Sequence, residues 1–287
     1  MMELLQLKYF CDAAKTENFT ATAKRFFVPT SAVSQSIKRL EAELGVKLFT
    51  REANRISLNE RGKAFFAEVG QALTMLDNAA KRACDDGERG EIRISIFINR
   101  RTVMQTVERF RKIHPDVNIV TKYAADPTKE AVDLIVTDKD LGRAFEGSAL
   151  IKEDILLAMH KDHPLASLAQ ISCDDLKGIP FICTNQGSSL YRITNEICSD
   201  IGFKPHIAIC SDDPYYIRKC VEMGLGVALI PAVSWKGQFS ENILFKKIHA
   251  YRRFTYLYYK KGEYLPLYMQ EFCEMLAEEC KREETAL

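Results

Sequence analysis

Residues 19–51, FTATAKRFFVPTSAVSQSIKRLEAELGVKLFTR, constrain this chain more than any other stretch. They read as two short helices joined by a tight turn, then a glycine stop and a basic hairpin. Val33, Ile37, Leu40 and Leu44 recur at helical spacing and line a face to be buried. Ser31, Ser34, Gln35 and Lys38 share another face, which carries hydroxyls, an amide and a cation but no carboxylate. Such a face suits hydrogen bonding to base edges and phosphates. Thr30 or Ser31 is placed to N-cap the helix, and Gly45 to end it. The plain alternative is an amphipathic helix on an ordinary globular surface.

The flanks favour the first reading. Leu4, Leu7, Phe10, Cys11 and Ala14 mark a preceding helix. Asn18 or Thr20 caps the next, with Ala23, Phe26 and Phe27 as its apolar side and Pro29 as its breaker. After Gly45, Ala53 and Asn54 suit a turn between two short strands, flanked by Arg51 and Arg55. A basic hairpin beside such a helix is a wing, able to lay cations on phosphates. Residues 1–65 hold eleven Lys and Arg against seven Asp and Glu, a net +4, whereas the whole chain carries +1. The basic charge therefore sits at the N-terminal end.

LQLKYFCDAAKTENFT, VPTSAVSQSIKRLEAELGVKLFTR and the run ending in LNERG resemble the N-terminal domain of LysR-type transcriptional regulators. Three positions depart from the family pattern. Pro29 stands where Ser or Thr is usual, Thr30 where Gln is usual, and Asn59 where Thr usually opens the following helix. The first two bear on base preference; Asn59 caps as well as Thr does. The resemblance implies a winged helix-turn-helix that binds a DNA operator. Thr30, Ser31, Ser34, Gln35 and Lys38 would face the duplex, with Arg51 and Arg55 on its phosphates.

Phe65, Val69, Leu73, Leu76 and Ala80 form a stripe on a helix expected over 59–84. Such a stripe needs a cover. The resemblance implies a second copy of the same helix, hence a homodimer, two reading heads and a roughly two-fold operator, with tetramers usual in the family. Packing on the chain's own C-terminal part is the alternative. Cys84–Gly90 is polar and reads as a hinge.

Beyond the hinge, strands and helices alternate. GEIRISIFI, VNIVTKY, AVDLIVT, DILLAMH, IPFICT, PHIAICS and GVALIP read as strands, with helices near 101–114, 188–202 and 213–224. ILFKKIHAYRRFTYLYYKK adds two strands, and a helix covers about 265–284. The alternation argues α/β architecture with largely parallel sheets. The resemblance implies two subdomains of periplasmic-binding-protein type. The chain as a whole is then α+β, with a DNA-binding domain at 1–58, a linker helix at 59–86 and an effector domain at 90–287. Within that domain, subdomain I would take 90–160 and 263–287, and subdomain II 161–262. Only AADPTKE separates VNIVTKY from AVDLIVT, where relatives usually carry a longer helix.

Such a fold places a small-molecule cleft outside the carboxyl ends of strands. Asn99 and Arg100 lie where a strand gives way to a helix, a setting that favours an anion. Thr137, Thr184, Ser188 and Ser189 lie at the mouths of other strands. The resemblance implies an effector contact at Asn99 and an opposite wall around Ser188. The expected ligand is a small carboxylate or other anion, although Ser and Thr at such places also serve as plain helix caps.

Several function classes find no support. No GxSxG, P-loop, HExxH or Rossmann glycine pattern appears, so no enzyme activity and no cofactor are expected. His160 and His163 read as part of a polar turn, and no metal site is expected. MGLGVALIP reads as close packing of a helix on a sheet. No apolar run reaches the roughly 18 residues that span a bilayer, and no signal peptide is visible, so a cytoplasmic location is expected. The 9 cysteines form no CxxC pair and read as free thiols; a redox pair of Cys210 and Cys220 is the alternative. The reading is an effector-responsive DNA-binding regulator. The competing one is a stand-alone α/β solute-binding or enzymatic domain with an accidental helix-turn-helix.

Overall fold

The computed structural model describes residues 2–52, 55–127 and 129–285, without the side chains of residues 51, 52 and 55. It divides into two compact units: Met1–Asp85 with Gly262–Tyr264, and Asp86–Lys261 with Leu265–Leu287.

The first unit opens with α1 (Leu4–Thr16), α2 (Phe19–Arg25) and α3 (Thr30–Leu44). The Asn18 side chain accepts from the Thr20 and Ala21 N–H groups and so starts α2. Val33, Ile37 and Leu40 of α3 are fully buried against Tyr9, Phe10 and Ala23. The expected cap of α3 is not formed. Pro29 holds the N-cap position and makes no side-chain cap, so Thr30 and Ser31 fall inside the first turn. Phe27 is also not part of the apolar side. It adopts φ +54° in the turn and is 95% exposed, because the αL bend swings its side chain away from the core.

After the Gly45 cap, β1 (Phe49–Glu52) pairs antiparallel with β2 (Arg55–Leu58), in register from Phe49↔Leu58 to Glu52↔Arg55. The turn expected at Ala53 and Asn54 lies outside the described residues. Asn59 caps α4 (Glu60–Cys84) by accepting from the Gly62 N–H at 2.8 Å. The first half of the α4 stripe, Phe65, Val69 and Leu73, packs on the head's own core. The second half does not: Leu76 is 56% exposed and Ala80 is exposed, and Met75 beside them is 71% exposed.

The second unit comprises β3 (Gly90–Ile96), α5 (Arg100–Ile113), β4 (Val117–Tyr123), β5 (Leu134–Thr137), β6 (Phe145–His160), α6 (Cys173–Leu176), β7 (Pro180–Thr184), α7 (Ser189–Ile201), β8 (His206–Ser211), α8 (Pro214–Glu222), β9 (Ala228–Pro231), β10 (Ile243–Lys246), β11 (Arg252–Lys260) and α9 (Leu267–Thr285). Seven strands form one sheet, in the order β10-β6-β11-β5-β3-β4 with β9 also on β6; β7 and β8 form a separate pair.

The expectation of largely parallel sheets fails for the larger sheet. Only β3 with β4 and β3 with β5 run parallel there; the four pairings of β6 and β11 with each other and with β5, β9 and β10 are antiparallel. The cause is that β6 and β11 are return strands that run antiparallel to the strands beside them. The stretch from 124 to 133 holds no helix among its described residues, in keeping with its shortness.

Two apolar cores lie along this unit. One gathers Ile92, Ile94, Ile96, Phe110, Leu134, Ile151, Leu257 and Phe272; the other gathers Ile155, Leu157, Phe181, Ile193, Ile217, Leu229 and Trp235. β6 passes from the first core to the second between Ile151 and Ile155, and most of β11 belongs with the first. β6 is long enough to serve both cores. Gly226 lies against the Pro180 carbonyl, where a Cβ would sit 2.3 Å from the oxygen, which explains the glycine of the GVALIP strand entry.

Candidate functional site

Thr30, Ser31, Gln35 and Lys38 are exposed on α3, and Ser34 beside them is half-buried. The opposite side of the helix is locked by Val33, Ile37 and Leu40, so this polar face points outward as a consequence of core packing. The first-turn N–H groups meet no side-chain cap, which leaves the helix start open to an anion such as a phosphate. The side chains of Arg51 and Arg55 lie outside the described residues; their strands, β1 and β2, stand beside α3 in sequence and core.

Glu41 has a task that periodicity did not reveal. It is buried at 4% exposure and accepts from the Leu48 N–H at 2.9 Å, the Phe49 N–H at 3.3 Å and the Lys47 ammonium at 2.9 Å. Burial pushes its pKa up, but the Leu48, Lys47 and Phe49 donors outweigh burial and hold it below the usual value. Glu41 thus ties α3 to the start of β1.

In the second unit a cavity of about 490 Å³ opens between the subdomains. Asn99, Arg100, Thr184, Ser188 and Ser189 all line it, which brings together residues from 99 to 189. Thr137 does not line it. That residue is buried, and its hydroxyl accepts from the Lys139 N–H at 3.2 Å, holding the turn after β5; Asp138 and Lys139 reach the cavity instead.

Most of the expected polar groups already have partners. Asn99 sits at φ +57° as the N-cap residue of α5 without capping it. Its amide donates to the Thr255 hydroxyl at 2.8 Å and accepts from Arg253 at 3.1 Å. Thr184 and Ser188 bond each other, and Ser188 also caps α7 through the Tyr191 N–H at 3.2 Å. Ser189 donates to Asp138, which also meets Arg192 at 2.7 Å. Capping therefore accounts for Ser188, as the plain reading held. The Arg100 guanidinium lies 3.5 Å from the Tyr123 ring centre.

Sequence reasoning missed Arg218, Trp235, Gln238 and Arg253, which line the same cavity. Asp138 and Lys139 were within reach, since they follow the end of an expected strand. Arg218 and Trp235 carry no local signal, because the fold brings them to the cavity from a helix face and a turn. His163 accepts from the Leu165 N–H at 3.2 Å and shapes a turn, as the sequence suggested. Burial pushes the Cys11 thiol up to about 11 and Cys198, Cys273 and Cys280 up to about 12, which opposes thiolate chemistry at those four. Cys210 is exposed and Cys220 half-buried.

Comparison with known proteins decides the family. The profile of the bacterial regulatory helix-turn-helix protein, lysR family, matches residues 4–63, and that of the LysR substrate binding domain matches residues 85–281. The chain belongs to the LysR family. As such it is a DNA-binding transcriptional regulator with an effector-binding domain, and not an enzyme.

This LysR-type chain is 30% identical to the HTH-type transcriptional regulator YnfL of Escherichia coli, over 84% of this chain and 86% of that one. It is 28% identical to the transcriptional dual regulator GltC of Bacillus subtilis, over 80% and 81%. Among solved structures it is similar to CbnR, a LysR family transcriptional regulator, with a TM-score of 0.52 at 22% identity over 96% of this chain and 100% of that one. A hydrogen-peroxide-bound OxyR mutant of Corynebacterium glutamicum gives 0.57 at 18% identity over 100% and 96%. These two likenesses concern the fold. Among the described residues no helix is long and apolar enough to cross a membrane, and no cluster of His, Cys, Asp and Glu is arranged to hold a metal ion.

Proposed function

We propose that this LysR-type regulator reads a two-fold operator as a cytoplasmic dimer and responds to a small organic anion, a carboxylate above all, bound between its subdomains. The observation that carries the anion is the cavity's lining: Arg100, Arg101, Lys139, Arg218 and Arg253 against the carboxylates Asp138 and Asp212. A concave site with that balance favours a negative ligand.

On the DNA side, Thr30, Ser31, Ser34, Gln35 and Lys38 are the groups for base edges and nearby phosphates, and Arg51 and Arg55 those for the backbone. The exposed second half of α4, with Met75 and Leu76, supports pairing with a second copy along that helix, and dimers of dimers would follow the family habit. The ligand acts only through its different affinities for two arrangements of the dimer.

The experiment is duplex binding by fluorescence anisotropy across a salt series, with and without a carboxylate found by thermal shift. Binding should weaken steeply with salt, and the anion should change affinity or footprint. A carboxylate that stabilises the protein yet leaves DNA binding untouched contradicts the coupling.

A further inference from the structure

Of the five cations lining the cavity, two are paired, and Arg100 and Lys139 are exposed, with Arg100 stacked on Tyr123. Arg253 is neutralised by Glu153 at 2.6 Å, and Arg101 pairs with Glu283 at 3.0 Å. Arg218, on α8, lines the cavity half-buried and forms no ion pair among the described residues; its guanidinium lies 5.6 Å from the ring centre of Trp235. The acids nearest it have other tasks. Asp213 caps α8 through the Tyr215 N–H at 2.8 Å, and Glu222 accepts from Lys219 at 2.7 Å and the Ser240 N–H at 3.0 Å. Burial holds the Arg218 pKa below the usual arginine value, Asp213 and Glu222 act the other way, and Arg101 adds to the lowering. The charge of an anion in the cavity would offset the cost of that burial and the repulsion from Arg101.

Around this cation the walls are apolar. Ile98, Leu190 and Trp235 are almost fully buried side chains that line the cavity, and Phe97 joins them. A bare inorganic anion would leave these surfaces and most of about 490 Å³ unused. A neutral ligand would leave Arg218 without a counter-charge.

We propose that Arg218 is the anchoring cation of the effector cavity, and that the effector is a carboxylate with an apolar body, its head on Arg218 and its body against Trp235, Leu190 and Phe97. This rests on the reading of the protein as an anion-responsive regulator and narrows the class of anion. Arg218 supplies a planar fork suited to two carboxylate oxygens, and the apolar wall selects for the remainder of the molecule.

Trp235 is the chain's single tryptophan, so its emission reports arrival at this wall. The full-length chain is titrated with benzoate, phenylacetate and hexanoate, and in parallel with succinate, citrate and inorganic phosphate. Expected is a saturable change in emission and a raised melting temperature with at least one apolar acid, and neither with succinate, citrate or phosphate. Arg218→Gln should weaken that acid by about tenfold or more, and Arg218→Lys by less, since it keeps the charge but not the fork. Melting without added acid checks that both variants fold, and Arg218→Lys carries the comparison if Arg218→Gln does not. Unchanged affinity in the folded variants overturns the role of Arg218. Binding confined to succinate, citrate or phosphate overturns the apolar-bodied class while leaving an anion-responsive regulator in place. If none of the six changes emission or melting, the anion reading itself falls.

Discussion

Arg253 and Glu153 are cross-strand partners on β11 and β6, and their side chains meet at 2.6 Å with 4% and 0% exposure. Glu153 also accepts from the Val233 and Ser234 N–H groups at 2.9 Å, while Arg253 reaches Ser234 and Asn99. The pair thus sits where β6 leaves one core for the other and ties the start of α5 to the strands that link the subdomains. Both Glu153 oxygens and the Nε and Nη2 of Arg253 are bonded, and such partners are what make a buried pair tolerable.

Glu153→Ala should lower stability by about 3–5 kcal/mol, because Arg253 then stays buried without a counter-charge. Urea unfolding measures it. A loss typical of an exposed pair, below about 1 kcal/mol, would mean that water reaches the site.

The Glu41 carboxyl carries a pH signature. Its pKa is depressed in the folded head, so its contribution is fully present above the unfolded value, near 4.5, and is lost as pH falls through the folded one. Wild type should therefore lose stability on acidification below about pH 4.5, and Glu41→Gln should be less stable at pH 7 with a shallower acid dependence. Thermal melts from pH 3 to 7 decide; parallel curves for the two proteins would show that Glu41 is not linked to folding.

Gly62 is required by close approach. A Cβ there would lie 2.1 Å from the Leu48 carbonyl oxygen, a backbone atom that cannot swing aside. Gly62→Ala should cost about 1–3 kcal/mol by pushing α4 off the wing, despite the better helix propensity of alanine. A stabilised variant would refute the contact.

Asn99 separates backbone from side chain. Its left-handed φ suits glycine, so Asn99→Gly should be more stable than Asn99→Ala by about 1 kcal/mol, while both lose the bonds to Thr255 and Arg253. Both should blunt the response to the anion and leave DNA affinity intact. Response retained in Asn99→Gly removes this amide from the effector site.

The head was legible because each of its signals is local. Asn18, Gly45 and Asn59 are caps acting within a few residues, and Val33, Ile37 and Leu40 betray their helix by spacing alone. Where the local rule failed, a backbone detail intervened: Pro29 took the cap position from Thr30, and the αL turn expelled Phe27. The first half of β6, FEGSA, was missed because it is largely exposed and shows no alternation. The cavity was half legible. Asn99 and Ser188 sit at strand ends, where clefts form, but the Arg253–Glu153 pair joins residues 100 apart, and nothing near Arg218 announces Trp235 beneath it.

The most direct test of the central claim is selection of bound duplexes from a random pool by the full-length protein at low salt. The account predicts enrichment of a two-fold related sequence, an altered base preference in Ser34→Ala and Gln35→Ala, and uniformly weaker binding without altered preference in Arg51→Ala. A pool that stays unenriched, or enrichment identical in the two α3 variants, would contradict the assignment of that helix as the reader.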